Sequence, residues 1–204
     1  MWWIPLWPRR GRAAAPRRAD LPFSMTDAMP ELSLSLHKSI ADVPAEGWDA
    51  CAGGANPFVS HAFLLALEES GSVTAGTGWL PQHAALRDGS GRLVACAPCY
   101  AKSHSQGEYV FDYGWADAFE RAGGDYYPKL QVCAPFSPVP GPRLLVREGS
   151  GVSATTLAQG LAQACGQLGL SSVHHCFDFR GAGGSEATEL LGAGAVLDAR
   201  RAEL

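Results

Sequence analysis

The chain has 204 residues, of which 47% are hydrophobic and 18% are charged, and its formal net charge at pH 7 is -4. This length suits one domain with a sizeable core. The acidic balance excludes binding to DNA through a general basic surface. The sequence contains no run of about 18 apolar residues, so we expect no transmembrane helix.

The first 30 residues differ from the rest in composition. Residues 1–20 contain five arginines and one acid, and the apolar run at residues 2–7 precedes the arginines and contains Pro5. A secretory signal has the opposite order, and the prolines conflict with the amphipathic helix of a transit peptide. We favour an upstream extension with Met25 as the working initiator, and treat residues 1–30 as a disordered or misassigned N-terminal extension.

Regular structure is predicted from residue 32 onward. Residues 32–37, LSLSLH, alternate apolar and polar side chains, which predicts a half-buried strand. Residues 44–52 predict a short helix that ends at Gly53. Ser60 is then the expected N-cap of a second helix, HAFLLALEES, and Gly71 is expected to end it.

The middle of the chain contains a strong hairpin signal. Residues 79–87 and 92–102 are strand-like and flank the turn sequence DGSG at residues 88–91. Residues 108–113 predict a third strand, and residues 115–122 predict a short helix before two glycines.

The remaining pattern predicts further strands and one long helix. The strands are expected at residues 130–133, 144–146 and 171–179. The proline-rich segment 134–143 predicts a loop or an irregular edge. Ser153 is the expected cap of the clearest helix, residues 154–169, and residues 186–191 predict another helical turn.

This order of elements predicts a mixed α/β (α+β) fold with a mostly antiparallel central sheet flanked by helices. A doubly wound parallel sheet would need a regular alternation of strands and helices, which the chain does not show. We assign residues 31–180 to one domain. Residues 181–204 are rich in glycine and alanine, and we interpret them as a truncated or altered C-terminal end.

The six cysteines favour a reduced, cytoplasmic protein over a secreted disulfide framework, because most lie inside apolar runs. Cys96 and Cys99 have the spacing of a redox pair, but such a pair needs a helix N-terminus and this one lies in a predicted strand. His174, His175 and Cys176 offer metal ligands, but a zinc site needs three or four converging ligands. We therefore predict structural cysteines and no metal.

Residues 107–129, GEYVFDYGWADAFERAGGDYYPK, interleave aromatic and acidic side chains. In a strand over residues 108–113, Tyr109, Phe111 and Tyr113 share one face, and the acids lie on the other. The aromatic face is therefore expected in the core, and most of the acids on the surface.

Three segments resemble a known family: NPFVSHAFLLALEESGSV (56–73), GWLPQHAALRDGSGRLVACAPCYAKSHSQGEYVFDYGWADAFERAGGDYYPKLQV (78–132) and PFSPVPGPRLL (135–145). They are similar to the bacterial peptidoglycan biosynthesis/recognition family, which is FemAB-like and related to the GNAT acyltransferase superfamily. The resemblance covers about residues 31–175 and implies a GNAT-like domain, the first of two in relatives. The HWHN-type and KRK-type segments of the second half are absent from this chain.

The resemblance implies transfer of an acyl or aminoacyl group to an amine. It implies no permanently bound cofactor and a co-substrate that is acyl-CoA or aminoacyl-tRNA. In a GNAT-like unit the donor's pyrophosphate lies at a helix N-terminus after a strand. The segment VREGSGVSATT (146–156) has the equivalent place but departs from the family's Q/R-x-x-G-x-G/A signature. Gly149, Gly151 and Ser153 are the expected cofactor-binding residues, and an ordinary capped loop is the alternative.

The expected acceptor side of the site lies in the aromatic and acidic stretch. Asp112 is predicted as the base or amine binder, and Tyr127 as the acid or hydrogen-bond donor. Lys129 is predicted to bind an anionic substrate group. The full set of expected substrate-binding residues is Tyr113, Trp115, Tyr126 and Lys129.

Three hypotheses for function remain open. The first is a cytoplasmic N-acyltransferase that acts on a small-molecule or peptidoglycan-precursor amine, with no DNA partner and no membrane span. The second is a non-catalytic binding module. The third is an inactive fragment of a two-domain acyltransferase.

Overall fold

The computed structural model describes residues 31–109, 112–177 and 196–197. These residues form nine strands and four α-helices in a mixed α+β fold, as predicted. In chain order the elements are β1 Ser33–His37, α1 Ala45–Ala52, α2 His61–Glu69, β2 Trp79–Pro81, β3 His83–Arg87, β4 Leu93–Ala97, β5 Cys99–Lys102, α3 Tyr113–Arg121, β6 Lys129–Val132, β7 Leu145–Val146, α4 Ala154–Gln167, β8 Val173–His175 and β9 Val196–Leu197.

The strands form two sheets rather than one central sheet. Sheet 1 has the order β1-β3-β4-β7 and is antiparallel throughout. Sheet 2 has the order β2-β5-β6-β8-β9, in which only the β6–β8 pair is parallel. The mostly antiparallel character was therefore predicted correctly.

The predicted hairpin around residues 88–91 is confirmed, but each of its arms contributes to both sheets. Gln82 separates β2 from β3, and Pro98 separates β4 from β5. Proline cannot donate a ladder hydrogen bond, so it favours a break in the strand. The half of the hairpin next to the turn, β3 and β4, lies in sheet 1, and the half away from the turn, β2 and β5, lies in sheet 2.

The two sheets separate along the second arm of this hairpin. β6 pairs with β5, with Val132 opposite Cys99, and β7 pairs with β4, with Leu145 opposite Cys96. Both pairs are antiparallel, so β7 resumes the direction of β6 after residues 133–144 leave the edge. The predicted proline-rich loop is part of this excursion.

β1, α1 and α2 form where they were predicted, and the two helices cover one face of sheet 1. The Ser60 hydroxyl accepts a hydrogen bond from the Phe63 amide at the start of α2, and Gly71 follows that helix with φ 73°. In α1, Trp48 is fully buried and its indole N–H donates to the Val59 carbonyl at 2.8 Å. These contacts hold α1 and α2 in one apolar cluster with β3 and β4.

Helix α4 packs in a second cluster, against the opposite side of the hairpin and one face of sheet 2. Ser153 caps it as predicted, because its hydroxyl accepts from the Thr156 amide at 3.1 Å. Leu157 and Leu161 are fully buried in the same cluster as Leu130 and Val132 of β6. α4 therefore covers the face of sheet 2 that carries the apolar side chains.

The predicted strand over residues 108–113 is wrong. Residues 108–109 lie in a bend, residues 110–111 lie outside the described ranges, and α3 begins at Tyr113. Within residues 108–113 the predicted burial is reversed as well, since Tyr109 and Tyr113 are 55% and 58% exposed, whereas Glu108 and Asp112 are buried. The physical reason is a buried lysine that binds both carboxylates, described below. The later acids of the stretch, Asp117, Glu120 and Asp125, are exposed as predicted.

Among the other predicted elements, some are present with shorter bounds, and some fall on residues outside the described ranges. The predicted strand at 171–179 is the shorter β8, and residues 178–179 are outside the described ranges. The N-terminal extension and the helical turn at 186–191 also lie outside them, and β9 is the only described part of residues 181–204.

The cysteines are buried thiols, and Cys96 and Cys99 lie in strands of different sheets. Burial raises the pKa of both, that of Cys99 to about 12. Redox exchange needs a thiolate near neutral pH. The burial of Cys96 and Cys99 therefore favours a structural role for this pair over redox exchange between the two cysteines.

Candidate functional site

Two buried lysines face each other on sheet 2. Lys102 ends β5 and Lys129 begins β6, and the two residues are directly paired in the strand register. Both are fully buried. Because side chains alternate along a strand, they project from the face opposite Leu130, the face away from α4. Like charges directly opposite one another are destabilising, so this pair requires nearby anions.

Lys129 is bound by the segment that leads into α3. Its Nζ donates to Ser105 Oγ at 2.9 Å, to Glu108 Oε2 at 2.8 Å and to Asp112 Oδ2 at 2.6 Å. An ammonium group has three protons, so these three acceptors saturate it. Asp112 is at the N-cap position of α3, but its carboxylate makes no capping bond and binds Lys129 instead.

Two tyrosines extend this network. Tyr126 Oη donates to Asp112 Oδ2 at 2.9 Å, and Tyr127 Oη lies 2.7 Å from Ser105 Oγ. The two tyrosine rings pack edge to face with their centroids 5.0 Å apart. We call the resulting set the charged cluster; its members are Lys102, Ser105, Glu108, Asp112, Tyr126, Tyr127 and Lys129.

Lys102 has a different environment from Lys129. Its Nζ donates to the Gln106 carbonyl at 3.2 Å and lies 3.5 Å from the centroid of the Trp79 ring. Burial lowers the pKa of Lys102 to about 8, although the charge of Glu108 opposes this shift. The described residues give Lys102 an aromatic ring and a carbonyl, and no carboxylate contact.

The carboxylates of the charged cluster differ in proton affinity. Burial acts to raise the pKa of Asp112, but hydrogen bonds from Lys129, Ser105 and Tyr126 outweigh it and lower that pKa. For Glu108, burial raises the pKa and Lys129 only partly opposes the effect. Burial alone would lower the pKa of Lys129, yet the two carboxylates raise it. The cluster therefore contains a firmly ionised Lys129–Asp112 pair and a more basic Glu108.

Three buried acceptor atoms near Lys129 lack a partner among the described residues: Glu108 Oε1, Asp112 Oδ1 and Gln131 Oε1. Gln131 lies on the same face of β6 as Lys129, and its amide donates to Cys176 Sγ at 2.7 Å. Unpartnered buried acceptors are costly. They are also atoms that could accept hydrogen bonds from the N–H groups of a ligand.

The structure brings together four of the predicted acceptor-side residues: Asp112, Tyr126, Tyr127 and Lys129. Sequence reasoning missed Lys102, Ser105 and Glu108. The available signal was a lysine in each of two predicted strands, together with acids spaced four apart at Glu108 and Asp112. Lys129 forms ion pairs with both carboxylates, and its contact with an anionic substrate group stays a prediction.

Tyr113 and Trp115 are not part of the charged cluster. They lie on the outer surface of α3 and are 58% and 75% exposed. α3 connects to the cluster through Phe119, whose ring meets Tyr126 edge to face with centroids 6.1 Å apart. The predicted contact of Tyr113 and Trp115 with substrate would therefore take place on the exposed side of α3.

Gly149, Gly151 and Ser153 lie in the loop between β7 and α4. Both glycines have positive φ, 70° and 73°, and Ser153 is engaged in capping α4. Since α4 covers the apolar face of sheet 2, this loop and the charged cluster belong to opposite faces of that sheet. The structure does not bring the two predicted parts of the site together, and cofactor binding at the loop remains a prediction.

The candidate metal ligands at residues 174–176 lie in and directly after β8, and they contact other protein groups. His174 Nε2 lies 2.8 Å from Ser172 Oγ, and burial lowers the pKa of His174 to about 4. Within the described ranges, no group of three or more His, Cys, Asp or Glu side chains is arranged to hold a metal ion.

An open groove of about 330 Å³ lies on the side of sheet 2 that faces α4, away from the charged cluster. Its lining includes Leu80, Ala101, Pro128, Leu168 and Leu170, and it contains no member of the charged cluster. It is therefore separate from the site described here.

The fold and the charged cluster define a mixed α+β protein with buried ionisable side chains on one sheet face. The model of the FemAB-like family, described as peptidoglycan biosynthesis/recognition, matches residues 39–191, about three quarters of the chain. The chain belongs to this family. No curated protein and no solved structure matches it. None of the helices in the described residues has the length and apolar character needed to span a membrane.

Proposed function

We propose that this chain is an N-acyltransferase unit that transfers an acyl or aminoacyl group to an amine, with a peptidoglycan precursor as the acceptor. Family membership over residues 39–191 is the observation that carries this proposal. The mixed α+β fold and a buried carboxylate cluster are in keeping with it. We place the reaction in the cytoplasm, which agrees with six buried cysteines present as thiols.

In this proposal the acceptor amine approaches the charged cluster. Asp112 Oδ1 and Glu108 Oε1 can each accept an N–H of the amine, because their other oxygens bind Lys129. Asp112 is a weak base, since its pKa is lowered, so it is better suited to orient the amine. Glu108, with a raised pKa, is the better matched proton acceptor near neutral pH.

The bond changes are those of acyl transfer. The amine nitrogen attacks the acyl carbonyl carbon, a C–N bond forms, and the bond to the donor's sulfur or oxygen breaks. One amine proton passes to Glu108, and the departing thiolate or alkoxide takes a proton from Tyr127 or from water. The co-substrate in this scheme is acyl-CoA or aminoacyl-tRNA, and Gly149, Gly151 and Ser153 are its proposed contacts.

A second candidate is a non-catalytic module that binds a peptidoglycan precursor. It is favoured by the saturation of Lys129 and by the burial of Glu108 and Asp112, which are 3% and 4% exposed. Such a network stabilises the fold without any reaction. The loop at residues 146–156 also lacks the acyl-CoA signature expected of GNAT enzymes.

Thermal-shift measurements with acetyl-CoA, free CoA, aminoacyl-tRNA and muropeptides test both candidates. Stabilisation by a donor and turnover with an amine support the transferase, whereas stabilisation by muropeptides alone supports the binding module. Asp112→Asn should reduce transfer, and Asp117→Asn is the matched control, because Asp117 lies on the exposed side of α3. A chain that responds to none of these compounds contradicts both candidates.

A further inference from the structure

The interface between α1 and β4 contains two cysteines that are far apart in sequence. Cys51 lies in the last turn of α1, and its Sγ is 3.8 Å from the Leu93 carbonyl of β4. Cys96 lies in β4, and its Sγ is 4.0 Å from the Trp48 carbonyl of α1. Each thiol thus reaches the backbone of the other's element, and each thiol shifts the pKa of the other.

Arg147 supplies a positive charge to the same interface. Its Nε donates to the Leu93 carbonyl at 2.7 Å, and its Nη2 donates to the Gly47 carbonyl at 3.3 Å. The guanidinium group therefore lies between α1 and β4 beside Cys51. Reactive cysteines typically occupy electropositive sites of this kind.

The two thiols of this pair are unequal in acidity. The Cys96 thiol, together with the charge of Arg147, lowers the pKa of Cys51 against the effect of burial. Burial raises the pKa of Cys96 well above its usual value. A more acidic thiol paired with a less acidic neighbour is the combination in which one sulfur is attacked by an oxidant and the other resolves the product.

Cys51 also has a route to small molecules. It is only 6% exposed, but it belongs to the terminal turn of α1, and exposed Gly53 and Gly54 follow directly. Terminal turns open locally at low free-energy cost. A small oxidant can therefore reach Cys51 without global unfolding, while Cys96 in the central strand stays covered.

We propose that Cys51 and Cys96 form a reversible disulfide in response to a hydroperoxide, which fastens the last turn of α1 to β4. The Cys51 thiolate attacks one oxygen of hydrogen peroxide, so that an S–O bond forms and the O–O bond breaks. The departing hydroxide takes up the proton that the Cys51 thiol had released and leaves as one water. Cys96 Sγ then attacks the Cys51 sulfenic sulfur, the S–S bond forms, the S–O bond breaks, and the Cys96 proton leaves with the hydroxyl as a second water. Two thiols are oxidised and one hydrogen peroxide is reduced.

The pair Cys133 and Cys176 provides an internal comparison. Both belong to one apolar cluster, but burial raises the pKa of each, that of Cys176 to about 11. The charges of Arg143 and Lys102 act to lower the pKa of Cys133, but burial outweighs them. They should remain thiols under conditions that oxidise Cys51.

The test treats the full reduced chain with stoichiometric hydrogen peroxide and maps the products by mass spectrometry. The expected product has lost two hydrogen atoms, contains a Cys51–Cys96 linked peptide and is restored by dithiothreitol. Cys51→Ser and Cys96→Ser should each abolish the link, whereas Cys133→Ser should leave it unchanged.

A second measurement covers the case in which a serine variant folds poorly. In Cys96→Ala, whose folding circular dichroism would verify, Cys51 should accumulate as a sulfenic acid that dimedone traps. A link between other cysteines, a Cys51 sulfinic acid beside a Cys96 thiol, or no reaction of the folded chain when the urea-unfolded chain reacts would each overturn the proposal.

Discussion

Replacing Lys129 by methionine should strongly destabilise the protein, because it removes the cation between two buried carboxylates. Methionine keeps a long apolar side chain and removes the ammonium group that binds Ser105, Glu108 and Asp112. Removing one partner of a buried ion pair costs about 3–5 kcal/mol, since the other charge is left uncompensated. Lys129 is fully buried, so solvent screening does not reduce this figure.

The structure gives reasons why the loss should stay within that range although two carboxylates are affected. Glu108 already has a raised pKa and can become neutral by taking up a proton. Asp112 keeps its hydrogen bond from Tyr126. Because small domains have unfolding free energies of about 5–15 kcal/mol, the variant should be folded but close to its limit.

The dependence of this loss on pH is a second part of the prediction. In the native protein the folded pKa of Asp112 is lowered, so its contribution is present above about pH 3.9 and is lost as the pH falls through the folded pKa. The raised pKa of Lys129 gives a contribution that is present below about pH 10.4 and lost as the pH rises through the folded pKa. Without Lys129 both carboxylates should bind protons more tightly in the folded state, so lowering the pH from 8 to 5 should reduce the loss.

Urea denaturation of the wild type and Lys129→Met at pH 8 and pH 5 measures both effects. The matched control is Arg121→Met, which breaks an exposed pair with Asp117 on α3 and should change stability by less than about 0.5 kcal/mol. The combined variant Lys129→Met, Glu108→Gln and Asp112→Asn removes all three charges and should recover much of the lost stability. A loss below about 1 kcal/mol in Lys129→Met, or no recovery in the combined variant, would refute the reasoning about charge.

Two further predictions concern the fold. Ser153→Ala should lower the unfolding free energy by about 1 kcal/mol, because α4 loses its N-cap bond to the Thr156 amide; thermal denaturation measures this, and an unchanged midpoint would contradict the capping role. Trp79→Ala should cost about 3–5 kcal/mol because the side chain is buried, whereas Trp115→Ala should change stability by less than about 0.5 kcal/mol because the side chain is 75% exposed. Similar losses for the two tryptophan variants in urea denaturation would contradict the assigned burial.

Local signals in the sequence were enough to locate most of the helices and strands. Capping by Ser60 and Ser153, the alternation in β1 and the turn at residues 88–91 all depend on neighbours within a few positions. Such signals are independent of the rest of the fold. They do not show that one long strand can be divided between two sheets. The division of each hairpin arm into two strands was therefore missed.

The segment before α3 was misjudged because its burial depends on a distant residue. The pattern at residues 108–113 alternates aromatic and acidic side chains, and an acid is ordinarily placed outside. Here Lys129 lies 17 positions beyond Asp112, and it is brought to the same place by the β5–β6 pairing. Tyr109 and Tyr113 are exposed, and the acids are inside.

In the proposed acyl transfer, the contacts of the charged cluster decide which carboxylate suits proton transfer and which suits positioning of the amine. Every donor that stabilises the Asp112 anion lowers its pKa, so the bonds that place Asp112 correctly also make it a weaker base. Glu108 shares Lys129 with Asp112, but burial is the larger influence on it and keeps its pKa raised. Because a general base works best with a pKa near the operating pH, the proton is better accepted by Glu108. Asp112 was predicted as the base or the amine binder, and in the proposed reaction its lowered pKa favours the role of amine binder.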